Sequence, residues 1–200
     1  DSQGLLKSAI LTRVSRGKRS GYDKNSIKEP MASYFYDNKV SVSISEHAIT
    51  RNRELLAKVL GYEIDEKILN YGISPDIFID SPTNSVGVSM PRRYVVALHG
   101  TSRPDKEWSV EAWDRFLSAT QLKEYDFVFP WGNEREHKRA LALQEKHRSV
   151  IVLPRCSLSQ LARVIHDASA VIGMDTGLMH IAAALNQKGV ALYPVTQPSL

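Results

Sequence analysis

The sequence predicts an α/β fold built on a parallel sheet, and three observations carry that prediction. Short apolar runs alternate with helical patterns from residue 94 to residue 193. The runs hold few polar residues, so helices must cover both faces of the sheet. The helical stretches between runs have the length of βαβ crossovers.

The elements follow in order. Tyr94–His99 (YVVALH) reads as a buried strand. Ser109 caps a helix that turns Trp113, Phe116 and Leu117 inward. Asp126–Pro130 is a second strand, Glu134–His147 a charged amphipathic helix and Val150–Leu153 a third strand. Ser157 and Gln160 fit an S-x-x-Q capping box, followed by Leu158, Leu161, Ile165 and Ala168 at helical spacing. Ala170–Met174 is a fourth strand, Leu178–Leu185 a short helix and Gly189–Tyr193 a fifth strand.

Residues 1–80 read differently. Leu5–Val14 is helical, with Leu5, Leu6, Ala9 and Ile10 on one face. Ser45 is expected to cap a helix running to Leu60, with Ile49, Leu56 and Leu60 buried and Gly61 as its stop. Between them lies a polar stretch with Pro30 and the aromatic group Tyr34, Phe35 and Tyr36. No strand ladder is legible there, so these helices are expected to need a sheet from elsewhere. Asp80–Arg93 (DSPTNSVGVSMPRR) reads as an interdomain linker. The expected division is 1–80, a linker over 81–93, and a second domain over 94–200.

Composition is ordinary globular, with 42% hydrophobic and 24% charged residues among 200. That length suits one α/β core, or one core plus part of another. No apolar run approaches the ~20 residues that cross a bilayer, and no signal-peptide pattern opens the chain. The chain begins at Asp1, which leads to the expectation that further sequence precedes it. Cys156 is the single cysteine. It has no internal disulfide partner and no metal-ligand spacing around it, which suits a reducing cytosol and a small packing role. The net charge of +4 is local: residues 1–30 hold seven basic against three acidic groups, and the rest balance. A basic segment on a neutral body suits an anionic partner, and equally a solvated helix face. Nucleic acid is not expected, because no aromatic–basic interleaving or known motif accompanies the charge.

In parallel sheets, ligands bind beyond the carboxyl ends of the strands. Function is therefore sought after His99, Pro130 and Met174. In the first loop, Thr101 and Ser102 carry hydroxyls that can donate to phosphate, and Lys106 can neutralise charge on a diphosphate leaving group. Taken alone, an ordinary polar loop with a solvated lysine accounts for these residues. The second loop, Pro130-Trp131-Gly132, is a rigid turn presenting an aromatic ring. Glu136 beyond it is either a ribose-diol acceptor or a surface helix acid. In the third loop, Asp175-Thr176-Gly177 places backbone N–H groups at a helix start, a ready anion site. Asp175 can cap that helix, bind sugar hydroxyls, or do both. His180 lies on its first turns, where a lone histidine is usually structural. Glycine-rich dinucleotide and P-loop signatures are absent, as is H-E-x-x-H. Phosphate would be held by helix N-termini, hydroxyls and Lys106.

The ordered set His99-x-Thr101-Ser102-Arg103-x-x-Lys106-x-Trp108, Pro130-Trp131-Gly132 and Asp175-Thr176-Gly177-Leu178-x-His180 resembles the lipopolysaccharide heptosyltransferases. Asp1-x-Gln3-Gly4-Leu5-x-Lys7-Ser8-Ala9 and Glu29-Pro30-x-Ala32-x-x-Phe35-Tyr36 share the resemblance. The Thr-x-Arg-x-x-Lys-x-Trp form is nearer the heptosyltransferase I branch than the enzymes that add the second heptose. The resemblance implies a GT-B fold of two Rossmann-like domains, the N-terminal one incomplete in this chain. It implies an inverting transfer from ADP-L-glycero-β-D-manno-heptose to Kdo of Kdo2-lipid A. It implies no cofactor and no metal held by the protein. The location implied is peripheral, at the cytoplasmic face of the inner membrane.

Carried over by position, Thr101, Ser102 and Lys106 resemble diphosphate contacts, and Glu136 the acid that holds the adenosine ribose. Asp175 resembles the acid that orients the heptose, and Thr176 and Gly177 resemble backbone phosphate contacts. His180 belongs to the same donor-binding motif. Lys7 is expected to face the anionic acceptor. Lys106 and Asp175 are the catalytic candidates. Met179 stands where the family often has Ser, and Ser102 where Thr is common. The family's first strand and general-base Asp find no match here. The chain also ends at Pro198-Ser199-Leu200, in a segment after which the family continues. A non-catalytic sugar-nucleotide binding fragment and another GT-B glycosyltransferase are the alternative readings.

Overall fold

The computed structural model describes residues 1–64, 71–74, 86–101 and 103–193. Residues 1–64 belong to one compact unit, and those from 71 to 193 to another.

The first unit runs α1 (Leu6–Thr12), β1 (Ser20–Tyr22), a 3₁₀ helix over Pro30–Phe35, β2 (Asn38–Val40) and α2 (Ala48–Leu60). β1 and β2 pair in parallel, with Ser20 opposite Asn38 and Tyr22 opposite Val40. This corrects the expectation that no strands lie here. Each strand is three residues long and largely polar, so no apolar alternation marks it. Gly21 is required in β1: a Cβ there would lie 2.4 Å from the Tyr36 ring. Tyr22, Ile27, Tyr36, Val42 and Leu55 share a small core with Ala9 of α1.

Two further expectations fail in this unit. α2 begins at Ala48, and its cap is His47, whose Nδ1 accepts the Ile49 N–H at 3.2 Å, not Ser45. Its buried face carries Leu55 and Ala57, while Leu56 and Leu60 are exposed. On α1, Ala9 is buried but Ile10 is half exposed. Gly61 does end α2, in the left-handed conformation at φ 74°.

The second unit contains β3 (Tyr94–Leu98), α3 (Val110–Ala119), β4 (Asp126–Phe129), α4 (Glu134–Lys146) and β5 (Val150–Val152). It continues through α5 (Leu158–Asp167), β6 (Ala170–Met174), α6 (Gly177–Ala184) and β7 (Gly189–Leu192). The five strands form one parallel sheet in the order β5-β4-β3-β6-β7. All five strands of β3 to β7 were legible as apolar runs, to within a residue at each end.

β3 is buried along its whole length, and its side chains alternate between two cores. Tyr94, Val96 and Leu98 pack with Val164 and Ile165 of α5 and Ala182 of α6. Val95 and Ala97 pack with Trp113 and Leu117 of α3 and Ala140 and Leu143 of α4. The unit is thus a three-layer α/β sandwich. Trp113 is fully buried, with its ring 5.4 Å from Phe129 and 5.2 Å from Trp108. Truncating such a residue to alanine costs about 3–5 kcal/mol.

The helix starts follow their caps. Ser109 accepts the Ala112 N–H, and Ser157 and Gln160 complete the predicted capping box. Leu158, first of the four apolar residues at helical spacing, is 62% exposed directly after the cap, and the buried residues of α5 are Ala162, Val164 and Ile165. Val86 is buried against the sheet, with Val88 and Met90 packed beside it. That part of the expected linker packs on the second unit, and residues 81–85 lie outside the described residues. Among the described residues, no helix is long and apolar enough to cross a membrane.

The strand order positions the site. The chain moves outward from β3 to β4 and β5, then returns to place β6 on the other side of β3. The loops after β3 and β6 therefore diverge at a topological switch point, where the carboxyl ends of the strands open a crevice.

Candidate active site

Two loops meet at that switch point. After β3 the chain makes a short 3₁₀ turn at Pro104–Lys106. The Lys106 Nζ then lies 2.6 Å from Asp175 Oδ2, in the loop after β6. The two side chains are 17% and 22% exposed, so water screens this pair less than a surface pair. Thr176, not Asp175, occupies the N-cap position of α6, and it makes no side-chain capping bond. The start of α6 thus has no side-chain cap from Thr176, and a Cβ at Gly177 would meet nothing within 4 Å.

Glu136 is the second focus. Asn133 caps α4 by accepting the Glu136 N–H at 3.0 Å. The Glu136 carboxylate accepts the Gly132 N–H at 2.7 Å on Oε2 and Asn133 Nδ2 at 2.7 Å on Oε1. It is buried, and is not a surface helix acid. Each oxygen keeps a second lone pair, so the fixed carboxylate can still accept two hydroxyl protons. Gly100 makes room for it: a Cβ at Gly100 would lie 2.4 Å from Glu136 Cδ.

A cavity of about 460 Å³ opens here, lined by Gly100, Thr101, Trp131, Glu136, Cys156 and Thr176 among others. Trp131 is held rigid: its Nε1 donates to the Leu153 carbonyl at 2.6 Å, and its ring stacks on His137 at 4.1 Å. A smaller cavity of about 220 Å³ is lined by Asp175, Thr176, His180, Gln187 and Tyr193. Thr176 lines both cavities, so the start of α6 borders each of them.

The remaining expected residues distribute as follows. The Thr101 hydroxyl donates to the Arg103 carbonyl at 2.8 Å and accepts the Arg103 N–H at 3.0 Å, so its single proton serves the loop itself. His180 is exposed and lines the smaller cavity. Lys7 is exposed on α1 of the first unit. The turn before it is fastened by the Leu6 N–H donating to Glu29 Oε2 at 2.6 Å. Ser102 lies outside the described residues. Cys156 is half-buried, its Sγ 3.2 Å from the Pro154 carbonyl, and burial pushes its thiol pKa up. That environment leaves it protonated and unreactive.

Two groups carry structure that the motif reading did not assign. His99 is fully buried at the end of β3, with Nε2 2.9 Å from the Pro130 carbonyl. Burial first, and Arg139 second, push its pKa down to about 4. It is therefore neutral, with Nε2 as donor, and ties the loop after β3 to the loop after β4. Glu107 accepts from Arg135 at 2.8 Å, from Arg139 at 2.9 Å and from the Thr101 N–H at 3.3 Å. Burial works against its ionisation, but the hydrogen bonds from Arg139 and Thr101 and the arginine charges outweigh it and hold its pKa below the usual range. The available signal was Arg135 and Arg139 at i,i+4 spacing on either side of Glu136, a basic stripe on one helix face.

The comparisons with known proteins bear on the family and the fold. The family model described as glycosyltransferase family 9 (heptosyltransferase) matches residues 1–200. Lipopolysaccharide heptosyltransferase 1 of Escherichia coli K12 is 38% identical over 201 residues, which cover 100% of this chain and 61% of that protein. The protein of the same name from Salmonella typhimurium LT2 is 39% identical over 201 residues, covering 100% of this chain and 62% of its own length. The structure of E. coli heptosyltransferase WaaC with ADP-2-deoxy-2-fluoro heptose superposes with a TM-score of 0.86 at 38% identity, over 99% of this chain and 61% of that one. The chain thus spans about three fifths of the length of these relatives. With a family match over its full length, the chain belongs to glycosyltransferase family 9, the heptosyltransferases.

Proposed function

We propose that this protein transfers a heptose from an ADP-heptose donor to the inner core of lipopolysaccharide, and that its second unit holds the donor. The observation that carries the reading is the Lys106–Asp175 pair at the switch point, beside a cavity floored by the buried Glu136 carboxylate. The adenosine sits in the larger cavity, its ribose diol donating to Glu136. The diphosphate spans the start of α6 at Thr176 and Gly177, within reach of Lys106. The heptose occupies the smaller cavity, where Asp175 and His180 meet its hydroxyls. The likeness to WaaC, solved with an ADP-heptose analogue, supports this arrangement.

In the chemical step, the acceptor hydroxyl oxygen attacks the anomeric carbon from the face opposite the diphosphate. The bond from that carbon to the β-phosphate oxygen breaks, and ADP leaves with the electron pair. The acceptor proton passes to a base. Lys106 stabilises the charge that grows on the departing diphosphate, without a metal held by the protein. Asp175 fixes the sugar and, in the donor-free state, holds Lys106 at the site. The acceptor is the Kdo of Kdo2-lipid A, met on its anionic side by Lys7 and the basic residues of the first 30 positions. This places the protein peripherally on the cytoplasmic face of the inner membrane.

Calorimetry with ADP-heptose, followed by a transfer assay on Kdo2-lipid A, tests the reading. Donor binding with release of ADP and gain of one heptose on the acceptor supports it. Donor binding without transfer would favour a sugar-nucleotide binding role for this chain.

A further inference from the structure

We propose that Glu107 is a positioning residue that sets the diphosphate-binding loop against α4, so that Lys106 and Glu136 grip one donor in register. The inference rests on the donor-site reading above and adds a residue to it.

Glu107 lies next to Lys106 in sequence but points the opposite way. Lys106 reaches across to the loop after β6, whereas Glu107 reaches to α4. Its side chain is 7% exposed, and that of Arg139 is 9% exposed. Each Glu107 oxygen has its own arginine: Oε1 accepts from Arg135 and Oε2 from Arg139. Oε1 also accepts the Thr101 N–H, at the head of the same loop. Arg139 adds a bond to the Trp108 carbonyl at 3.3 Å, just beyond Lys106. One carboxylate therefore clamps both ends of the turn that carries Lys106 to the helix that carries Glu136.

The two arginines sit on α4 directly before and three residues after Glu136. A shift of the loop relative to α4 would change the distance between the ribose acceptor and the diphosphate ligand. A donor spanning both would feel that change, and a ligand bound at Glu136 alone would not. Arg139 Nε and Nη2 are buried without partners among the described residues, so Glu107 provides the main compensation for this guanidinium. The clamp is electrostatic and directional, and a neutral side chain of the same shape cannot satisfy both arginines.

The test compares ADP with adenosine as calorimetric ligands of the full chain and of Glu107→Gln. The proposal expects the ADP Kd to rise about tenfold and the adenosine Kd to change by less than about twofold. Because the single change leaves Arg139 uncompensated, Glu107→Gln/Arg139→Gln is measured alongside; it removes both charges, and the same split between the two ligands is expected. Equal losses for ADP and adenosine, or unchanged ADP binding in a folded variant, would overturn the positioning role. If the unmodified chain binds neither ligand, the donor-site reading fails first and takes this inference with it.

Discussion

Lys106 Nζ lies 2.6 Å from Asp175 Oδ2, although 69 residues separate them in the chain. The contact exists because β3 and β6 are neighbours in the sheet while their connections run to opposite sides. Each residue follows its strand at the carboxyl end, so the topology brings an ammonium and a carboxylate together where a ligand enters. Without donor they satisfy each other. On the proposed reading, a bound donor would give the ammonium a diphosphate to face and the carboxylate a sugar.

In a full-length version that carries the family's general base, Lys106→Ala should reduce heptose turnover by at least about tenfold, which corresponds to about 1.4 kcal/mol of lost leaving-group stabilisation. Steady-state kinetics with saturating donor reads this directly. Unchanged turnover would make Lys106 no more than a partner of Asp175.

Asp175→Ala should weaken ADP-heptose about tenfold while leaving ADP binding unchanged or tighter, because the freed lysine turns wholly to the diphosphate. The melting temperature should move little, since water still reaches both side chains, at 17% and 22% exposure, and Thr176, not Asp175, occupies the N-cap. Calorimetry with both ligands, paired with a thermal melt, separates a sugar contact from a stabilising one. Intact ADP-heptose affinity with a large fall in melting temperature would assign Asp175 to stability alone.

Gly100→Ala should damage the ribose end of the site. The new Cβ meets the Glu136 carboxyl at 2.4 Å, and that carboxyl is already held by Gly132 and Asn133. Overpacking of this kind costs about 1–3 kcal/mol. The expected result is a fall in ADP affinity of about tenfold or more, seen by calorimetry. Wild-type affinity would show that the carboxylate can move freely.

The legibility of the sequence differed between the two units for physical reasons. β3 is buried along its length, and β4 and β6 nearly so, and they read as apolar runs; β7 reads as apolar too, although Gly189 and Val190 are exposed. β1 and β2 are three-residue pieces, Ser-Gly-Tyr and Asn-Lys-Val, whose pairing depends on Gly21 meeting Tyr36. That long-range contact leaves no periodic trace. In α2, leucines at positions 55, 56 and 60 fit more than one helical phase, and packing on Tyr22 and Val42 selected Leu55. Strand-end position singled out Glu136 and Asp175 but left each between a structural and a ligand-binding role, and only the family resemblance assigned them donor contacts. Glu107 was not, because its importance comes from two arginines 28 and 32 residues away.

His99 predicts a pH dependence of stability. Its folded pKa of about 4 lies below the ordinary 6.5, so the unfolded chain binds the proton more tightly. The contribution is fully present above about pH 6.5 and is lost as pH falls toward 4. Its full size is about 3 kcal/mol. Urea unfolding at pH 7 and pH 4.5 should show a steeper loss in the unmodified chain than in His99→Gln. Equal losses would mean that His99 is not held neutral in the fold.

A crystal structure with ADP-heptose bound tests the central claim most directly. The account predicts the ribose hydroxyls on Glu136, the diphosphate between Lys106 and the Thr176–Gly177 start of α6, and the heptose beside Asp175. A donor bound elsewhere, with the Lys106–Asp175 contact undisturbed and the Glu136 cavity empty, would contradict it.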